Sequence, residues 1–364
     1  MTPNLPTIDE LLAETVAKNA SDLHLKPGVP PTVRVDGILE PLPGSSLDDA
    51  SVERYLEGII PDRLRVDFKE HHEADFAYGL ESGERFRVNA FQQRGRVTIA
   101  IRTLRQPDAD IEALGLPPVV GRLAGELRGL LLVTGPTGSG KSTTLAALID
   151  MINQTRRVNI ITIEDPVEVV HEDKMALVSQ REVGLDTAGF GEAMRRVLRQ
   201  DPDVILVGEM RDADTIDAAL KAAETGHLVL STLHTLDAAE TINRILEFFS
   251  GSRQAQVRRM LAGVLQGIVS QRLLPRADGQ GRVPAVEVLV NTERVAERIA
   301  DADLTAELIE VIAEGAYYGM ETFDQSLLRL AGTGVVTFEE AIRHATKPAD
   351  LKLRAQQLGI VATS

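Results

Sequence analysis

Residues 135–143 read Gly135-Pro136-Thr137-Gly138-Ser139-Gly140-Lys141-Ser142-Thr143, the spacing G-x-x-x-x-G-K-[ST]. Glycines at this spacing let successive backbone N–H groups curl around a polyphosphate at the positive end of a helix. Lys141 then reaches the β- and γ-phosphates, and Ser142 holds Mg²⁺. The alternative is a Gly-rich turn that holds nothing. Against it stand the flanks: the apolar run Leu130-Leu131-Leu132-Val133-Thr134 enters the loop and the helix-forming run Thr144-Leu145-Ala146-Ala147-Leu148 leaves it. ATP or GTP is the expected ligand.

Hydrolysis of such a ligand needs a carboxylate near Mg²⁺, a group that orients the attacking water, and positive charge on the γ-phosphate as its bond breaks. Val204-Ile205-Leu206-Val207-Gly208-Glu209 is an apolar strand ending in an acid, the Walker-B pattern, with Gly208 where many P-loop enzymes carry Asp. Glu209 is therefore the expected metal-side acid, acting without that partner. Ile161-Thr162-Ile163-Glu164-Asp165-Pro166 is a second strand ending in acids, and Glu164 is the expected general base. A lone acid in such a place is often a solvated turn, but a P-loop in the same sheet turns both acids toward the phosphate crevice. His227 precedes the strand Leu228-Val229-Leu230-Ser231-Thr232 and His234 follows it, so each either senses the γ-phosphate or is satisfied by local hydrogen bonds. Arg87, Arg94 and Arg102 lie far from the P-loop in sequence; they either supply a positive finger to a neighbouring subunit or form a salt-bridged sheet face.

Elements must bring these residues together. An amphipathic helix over residues 8–17 opens the chain, followed by Thr32-Val33-Arg34-Val35 and the hairpin dipeptide Asp36-Gly37. Residues 85–91 and 97–102 alternate arginines with apolar residues, as two strands of one sheet do. Pro and Gly clusters between 105 and 118 mark a linker. Beyond it, short β-branched runs at 158–163, 204–207 and 228–232 alternate with helical segments, the pattern of a parallel sheet covered on both faces. From about residue 253 the chain reads as mostly helical, with a Pro/Gly-rich loop at 274–281.

The 364 residues suggest two domains, and 43% hydrophobic content with no apolar run near ~18 residues points to a soluble chain without a membrane span. No secretory signal is visible in the first residues, which leads to a cytoplasmic expectation. There is no cysteine, hence no disulfide framework and no cysteine zinc site. A net charge of −15, 4% aromatics and no Trp argue against a nucleic-acid-binding surface. A nucleic-acid translocase built on the same P-loop, and a ring subunit that binds nucleotide without hydrolysing it, are the readings from other classes.

The segments Ala20-Ser21-Asp22-Leu23-His24-Leu25, Arg85-Phe86-Arg87-Val88-Asn89-Ala90-Phe91, the P-loop, Thr162-Ile163-Glu164-Asp165-Pro166-Val167-Glu168, Asp201-Pro202-Asp203-Val204-Ile205-Leu206-Val207-Gly208-Glu209-Met210-Arg211-Asp212 and Ala222-Ala223-Glu224-Thr225-Gly226-His227 with Thr232-Leu233-His234-Thr235 occur in one order. Together they resemble the retraction ATPases of type IV pili, within the secretion ATPase superfamily. The resemblance implies an α/β protein: a PAS-like α+β domain over 1–105, a linker over 106–118, and a RecA-like ATPase domain over 119–364 ending in helices. It also implies a homohexameric ring that uses ATP and Mg²⁺, with Glu164 as the water-activating acid, Glu209 the Walker-B acid, His227 and His234 a His-box pair, and Arg87 and Arg102 approaching the nucleotide. The implied partner is the PilC-like inner-membrane platform protein of the pilus, with pilin moved indirectly and the membrane met only through the platform, at its cytoplasmic face. Twitching motility and DNA uptake are the implied consequences. Assembly and type II secretion ATPases share these boxes, but generally carry a longer N-terminal extension and often a four-cysteine zinc element. Glu297-Arg298-Ile299-Ala300-Asp301-Ala302-Asp303 stands where retraction ATPases often read A-I-R-E-G-K, so an accessory paralogue of the principal motor is a further alternative.

Overall fold

The structure, a computed structural model, describes residues 5–35, 37–104 and 110–360. Asp36 of the expected hairpin dipeptide, and residues 105–109 of the expected linker, lie outside the described residues. The chain divides into two compact units, Met1–Gln106 with Glu168–Val170, and Pro107–Val167 with His171–Ser364.

In the first unit the order is α1 (Ile8–Ala17), β1 (Asp22–Leu25), β2 (Thr32–Val35), β3 (Ile38–Pro41), α2 (Asp49–Ile59), α3 (Asp62–His71), β4 (Glu73–Gly79), β5 (Arg85–Gln93) and β6 (Arg96–Leu104). Helix α1 starts where it does because Thr7 and Glu10 cap each other's backbone N–H groups in a capping box. The six strands form one antiparallel sheet in the order β3-β2-β1-β6-β5-β4. Alternation along β5 and β6 buries Phe86, Val88, Ala90, Ile99 and Ile101 against the helices and leaves Arg87 and Arg102 exposed.

The second unit runs α4 (Pro118–Ala124), β7 (Gly129–Thr134), α5 (Lys141–Thr155), β8 (Asn159–Glu164), β9 (Leu177–Glu182), α6 (Phe190–Val197), β10 (Val204–Val207), α7 (Ala213–Glu224) and β11 (Leu228–Leu233). It continues with α8 (Ala238–Glu247), α9 (Gly251–Val264), β12 (Leu265–Pro275), β13 (Arg282–Val290), α10 (Glu293–Ala300), α11 (Leu308–Glu314), α12 (Phe323–Gly332), α13 (Phe338–His344) and α14 (Pro348–Gln357). The sheet order is β13-β12-β7-β11-β10-β8-β9, parallel from β12 to β9, with β13 antiparallel at the edge. Strand residues alternate between two cores. Leu131, Val133, Val204 and Leu206 pack toward α4 and α5, whereas Leu130, Leu132, Ile205 and Val207 pack toward α6 to α9. Burial on both faces is why these strands are near-continuous apolar runs. Because the strands are parallel and in register, the carboxyl ends of β7, β11, β10 and β8 open on one edge in that order.

The expected helical region from residue 253 needs correction. Helices dominate from Glu293 onward, but residues 265–290 form β12 and β13, the hairpin joined through the Pro/Gly-rich loop. Strand β12 completes the parallel sheet beside β7, and burial there overrides the mixed polarity of Gln266, Ser270, Gln271 and Arg272.

Candidate active site

The loop between β7 and α5 is shaped for an anion. Gly135 adopts φ 140°, and a Cβ there would lie 2.5 Å from the Gln271 carbonyl and 2.6 Å from Ser139 Oγ, so only glycine fits. Gly140, with φ 92°, precedes the first residue of α5. The hydroxyl of Ser139 is buried with no hydrogen-bond partner among the described residues, an orphaned group of the kind a bound phosphate satisfies. Lys141 is 8% exposed, and its Nζ donates to the carbonyls of Gly135 at 2.7 Å and Pro136 at 3.0 Å. The ammonium is thereby kept inside the loop. Pro136, Thr137, Gly138, Ser142 and Thr143 are exposed around it.

One strand over, His234 follows β11 and links the loop to the acid beyond β10. Its Nδ1 lies 3.4 Å from Lys141 Nζ, and its Nε2 lies 3.4 Å from Glu209 Oε1. The imidazole ring thus lies between the ammonium of the loop and the carboxylate of Glu209. Glu209 is also held from the other side, where its Oε2 accepts from Arg211 Nε at 2.8 Å. Arg211 in turn lies 3.9 Å from Asp165. The segment is pinned by hydroxyls on β11: Ser231 donates to the Val207 carbonyl and Thr232 to the Gly208 carbonyl, each at 2.7 Å. At Gly208, in the Walker-B position, a Cβ would lie 3.3 Å from the Ile163 carbonyl and 3.4 Å from Glu164 Cα, a close fit. Glu209 and His234 border a cleft of about 690 Å³ that also exposes Asn243 and Arg244.

Glu164 ends β8, the next strand. Its Oε1 accepts from Thr162 Oγ1 at 2.6 Å and from Gln180 Nε2 at 3.1 Å. Thr162, Gln180 and Arg211 were not singled out from sequence. Thr162 had a signal, since it lies two residues before Glu164 and so on the same side of the strand. Arg211 follows the Walker-B acid by two residues. Gln180 had none, because pairing of β9 with β8 is non-local.

Of the residues expected at the site, the structure gathers the P-loop, His234, Glu209 and Glu164 at one sheet edge. It does not bring His227 there. Strand β11 begins at the next residue, so His227 sits at the opposite end of the strand, about 20 Å away for six residues. Its Nδ1 lies 2.9 Å from the Ala222 carbonyl, and its own carbonyl accepts from Gly129 N at the start of β7. Arg87 and Arg102 belong to the first unit, where they stand opposite each other on β5 and β6. Arg102 Nε bonds Asp22 Oδ1 at 3.0 Å, and its side chain remains largely exposed. Arg94 falls in the tight turn joining the two strands, at φ 52°. Among the described residues no cluster of three or more His, Cys, Asp or Glu forms a metal cage.

A P-loop at the head of a parallel sheet, with acids ending the neighbouring strands, defines a RecA-like P-loop ATPase. Residues 2–343 match the family of Type II/IV secretion system proteins, and the chain belongs to that family; it is an ATP hydrolase. It is 46% identical over 341 residues to the type IV pilus retraction ATPase PilT of Pseudomonas aeruginosa, an alignment covering 94% of this chain and 98% of that one. It is 41% identical over 345 residues to the type IV pilus ATPase PilU of the same organism, covering 95% of this chain and 90% of that one. The crystal structure of the pilus retraction motor PilT with bound ADP matches with a TM-score of 0.88 at 43% identity, covering 96% of this chain and 100% of that one.

Proposed function

We infer that this chain is the ATP-driven motor of type IV pilus retraction. The observation that carries the reading is similarity to a retraction motor, 46% identity over 94% of the chain, supported by Lys141, His234, Glu209 and Glu164 lying at one sheet edge. In this reading residues 1–105 form a PAS-like domain, 106–118 a linker and 119–364 the ATPase domain. The chain works as a homohexamer at the cytoplasmic face of the inner membrane, turning a PilC-like platform protein and withdrawing pilin indirectly. No direct contact with nucleic acid is expected.

The step begins with ATP in the loop of residues 135–143, its β- and γ-phosphates held by backbone N–H groups and Lys141. Ser142 and Glu209 are the residues that would hold Mg²⁺, which supplies charge neutralisation on the phosphate oxygens. Glu164 takes a proton from water as its oxygen bonds to the γ-phosphorus and the bond to the ADP oxygen breaks. His234, between Lys141 and Glu209, is placed to register whether the γ-phosphate is present. Arg87 and Arg102 supply positive charge to a neighbouring subunit's nucleotide. His227, at the other sheet edge, takes no part in this step. The accessory role of a PilU-type ATPase is the second reading, favoured by 41% identity over 95% of the chain.

Purified Glu164→Gln protein tests the chemistry. Turnover is expected to fall by about 10²–10⁴ while a fluorescent ATP analogue binds as before. Unchanged turnover would remove Glu164 from the role of base.

A further inference from the structure

We propose that Gln180 is a positioning residue for the water-activating carboxylate, its side-chain amide fixing Glu164 from one end while the backbone of the preceding loop fixes that amide from the other. The proposal rests on the reading of Glu164 as base. Gln180 lies on edge strand β9 directly opposite Thr162 of β8. Its Nε2 donates to Glu164 Oε1 at 3.1 Å, and its Oε1 accepts from the backbone N–H of His171 at 2.8 Å. The orientation of the amide follows from chemistry alone. A backbone N–H can only donate and an ionised carboxylate can only accept, so the oxygen must face His171 and the nitrogen Glu164. Glutamine presents a donor and an acceptor on one planar amide; leucine offers neither and glutamate offers no donor when ionised.

The anchor behind Gln180 is itself built from the helix that follows the P-loop. Asn153, wholly buried on α5, donates from Nδ2 to the Glu172 carbonyl at 2.7 Å and accepts at Oδ1 from the Lys174 N–H at 3.1 Å. Asp173 Oδ1 accepts from Val178 N at 2.8 Å, tying the same loop to the start of β9. A hydrogen-bonded path thus runs from α5 through residues 171–178 to Gln180 and on to the carboxylate. Thr162 Oγ1, 2.6 Å from the same Oε1, adds a second donor, so two donors fix that oxygen. Fixing a reacting group before the transition state is worth orders of magnitude in rate, and a misplacement near 1 Å costs about 100-fold.

The test is a double-mutant cycle on the full-length protein, reading single-turnover ATP hydrolysis, steady-state KM, binding of a fluorescent ATP analogue, and Tm. Gln180→Leu is expected to lower kcat by about 10- to 100-fold with KM and analogue binding within twofold of wild type. In the Glu164→Gln background the same substitution is expected to lower the residual rate no further, because Gln180 acts through the carboxylate. Gln180→Glu, which keeps the acceptor for His171 and loses the donor, serves if the leucine variant folds poorly, and is expected to lose kcat likewise. If Glu164→Gln is inactive but both Gln180 variants turn over as wild type, the positioning role is wrong and the base assignment stands. An equal loss from Gln180→Leu in both backgrounds would place its effect elsewhere and overturn the proposal. Full turnover in Glu164→Gln would overturn the base assignment, and the proposal with it.

Discussion

At Gly208 the chain lacks the acid that commonly stands in the Walker-B position, and the neighbouring strand fits closely there. The Gly208 N–H donates to the Ile163 carbonyl at 2.8 Å, drawing the end of β10 against the end of β8 where Glu164 begins. A Cβ would lie 3.3 Å from that carbonyl, so the neighbouring strand would have to give by a few tenths of an ångström. Gly208→Asp is therefore expected to cost about 1–3 kcal/mol of stability and to slow hydrolysis more than it weakens ATP binding. Thermal denaturation with a binding titration checks this; an unchanged Tm with full activity would contradict it. The residues legible from sequence were those whose role is set by position on one strand. The P-loop, Glu164, Glu209 and His234 all follow apolar runs, and parallel strands deliver such positions to one edge. His227 and His234 flank the same strand, as their sequence positions require, and six residues of β11 set them at opposite ends of it. Gln180 was invisible, since its meaning depends on which strand pairs with β8.

At the level of elements, strands β12 and β13 were missed because their sequences mix polar residues into β-branched runs, and only neighbours across the sheet explain the mixture. Ser270 Oγ pairs with Thr134 Oγ1 at 2.8 Å, and Gln271 Nε2 donates to Thr144 Oγ1 at 2.9 Å, so these polar residues brace the strand and helix on either side of the P-loop. Glu287 on β13 does the same for α8: its Oε1 accepts from the Ala238 N–H at 3.0 Å, holding the start of the helix that follows His234. Burial pushes the Glu287 carboxyl up to about 7, with Asp237 and Asp324 adding to the effect while the Ala238 N–H and Arg272 oppose it. In the unfolded chain the same group ionises near its ordinary 4.5. Between those values the native state holds a proton that the unfolded state has lost, so this group's contribution to stability is fully present below pH 4.5, falls as pH rises toward about 7, and is level beyond. Glu287→Gln keeps an acceptor for Ala238 and removes the titration. Its Tm relative to wild type is expected to climb between pH 5 and pH 8; a constant difference across that range would contradict the assignment.

Considered as a whole molecule, the chain carries its P-loop and strand-end acids in one unit and an exposed arginine pair in the other, and the ring proposed above would use both. Arg87 and Arg102 stand opposite each other on the first sheet, both exposed, with Arg102 tied to Asp22. If they serve a neighbour, Arg87→Ala and Glu164→Gln subunits, each inactive alone, should recover part of the wild-type turnover when mixed and reassembled. Arginines acting within their own subunit would leave the mixture inactive. No helix among the described residues is long and apolar enough to cross a membrane. The most direct measurement is made in cells: pilus number and twitching in a strain lacking this chain, complemented with wild type or with Glu164→Gln. Hyperpiliated cells that do not twitch, rescued by wild type alone, are the predicted result; bald cells, or rescue by Glu164→Gln, would contradict a retraction motor driven by hydrolysis at this site.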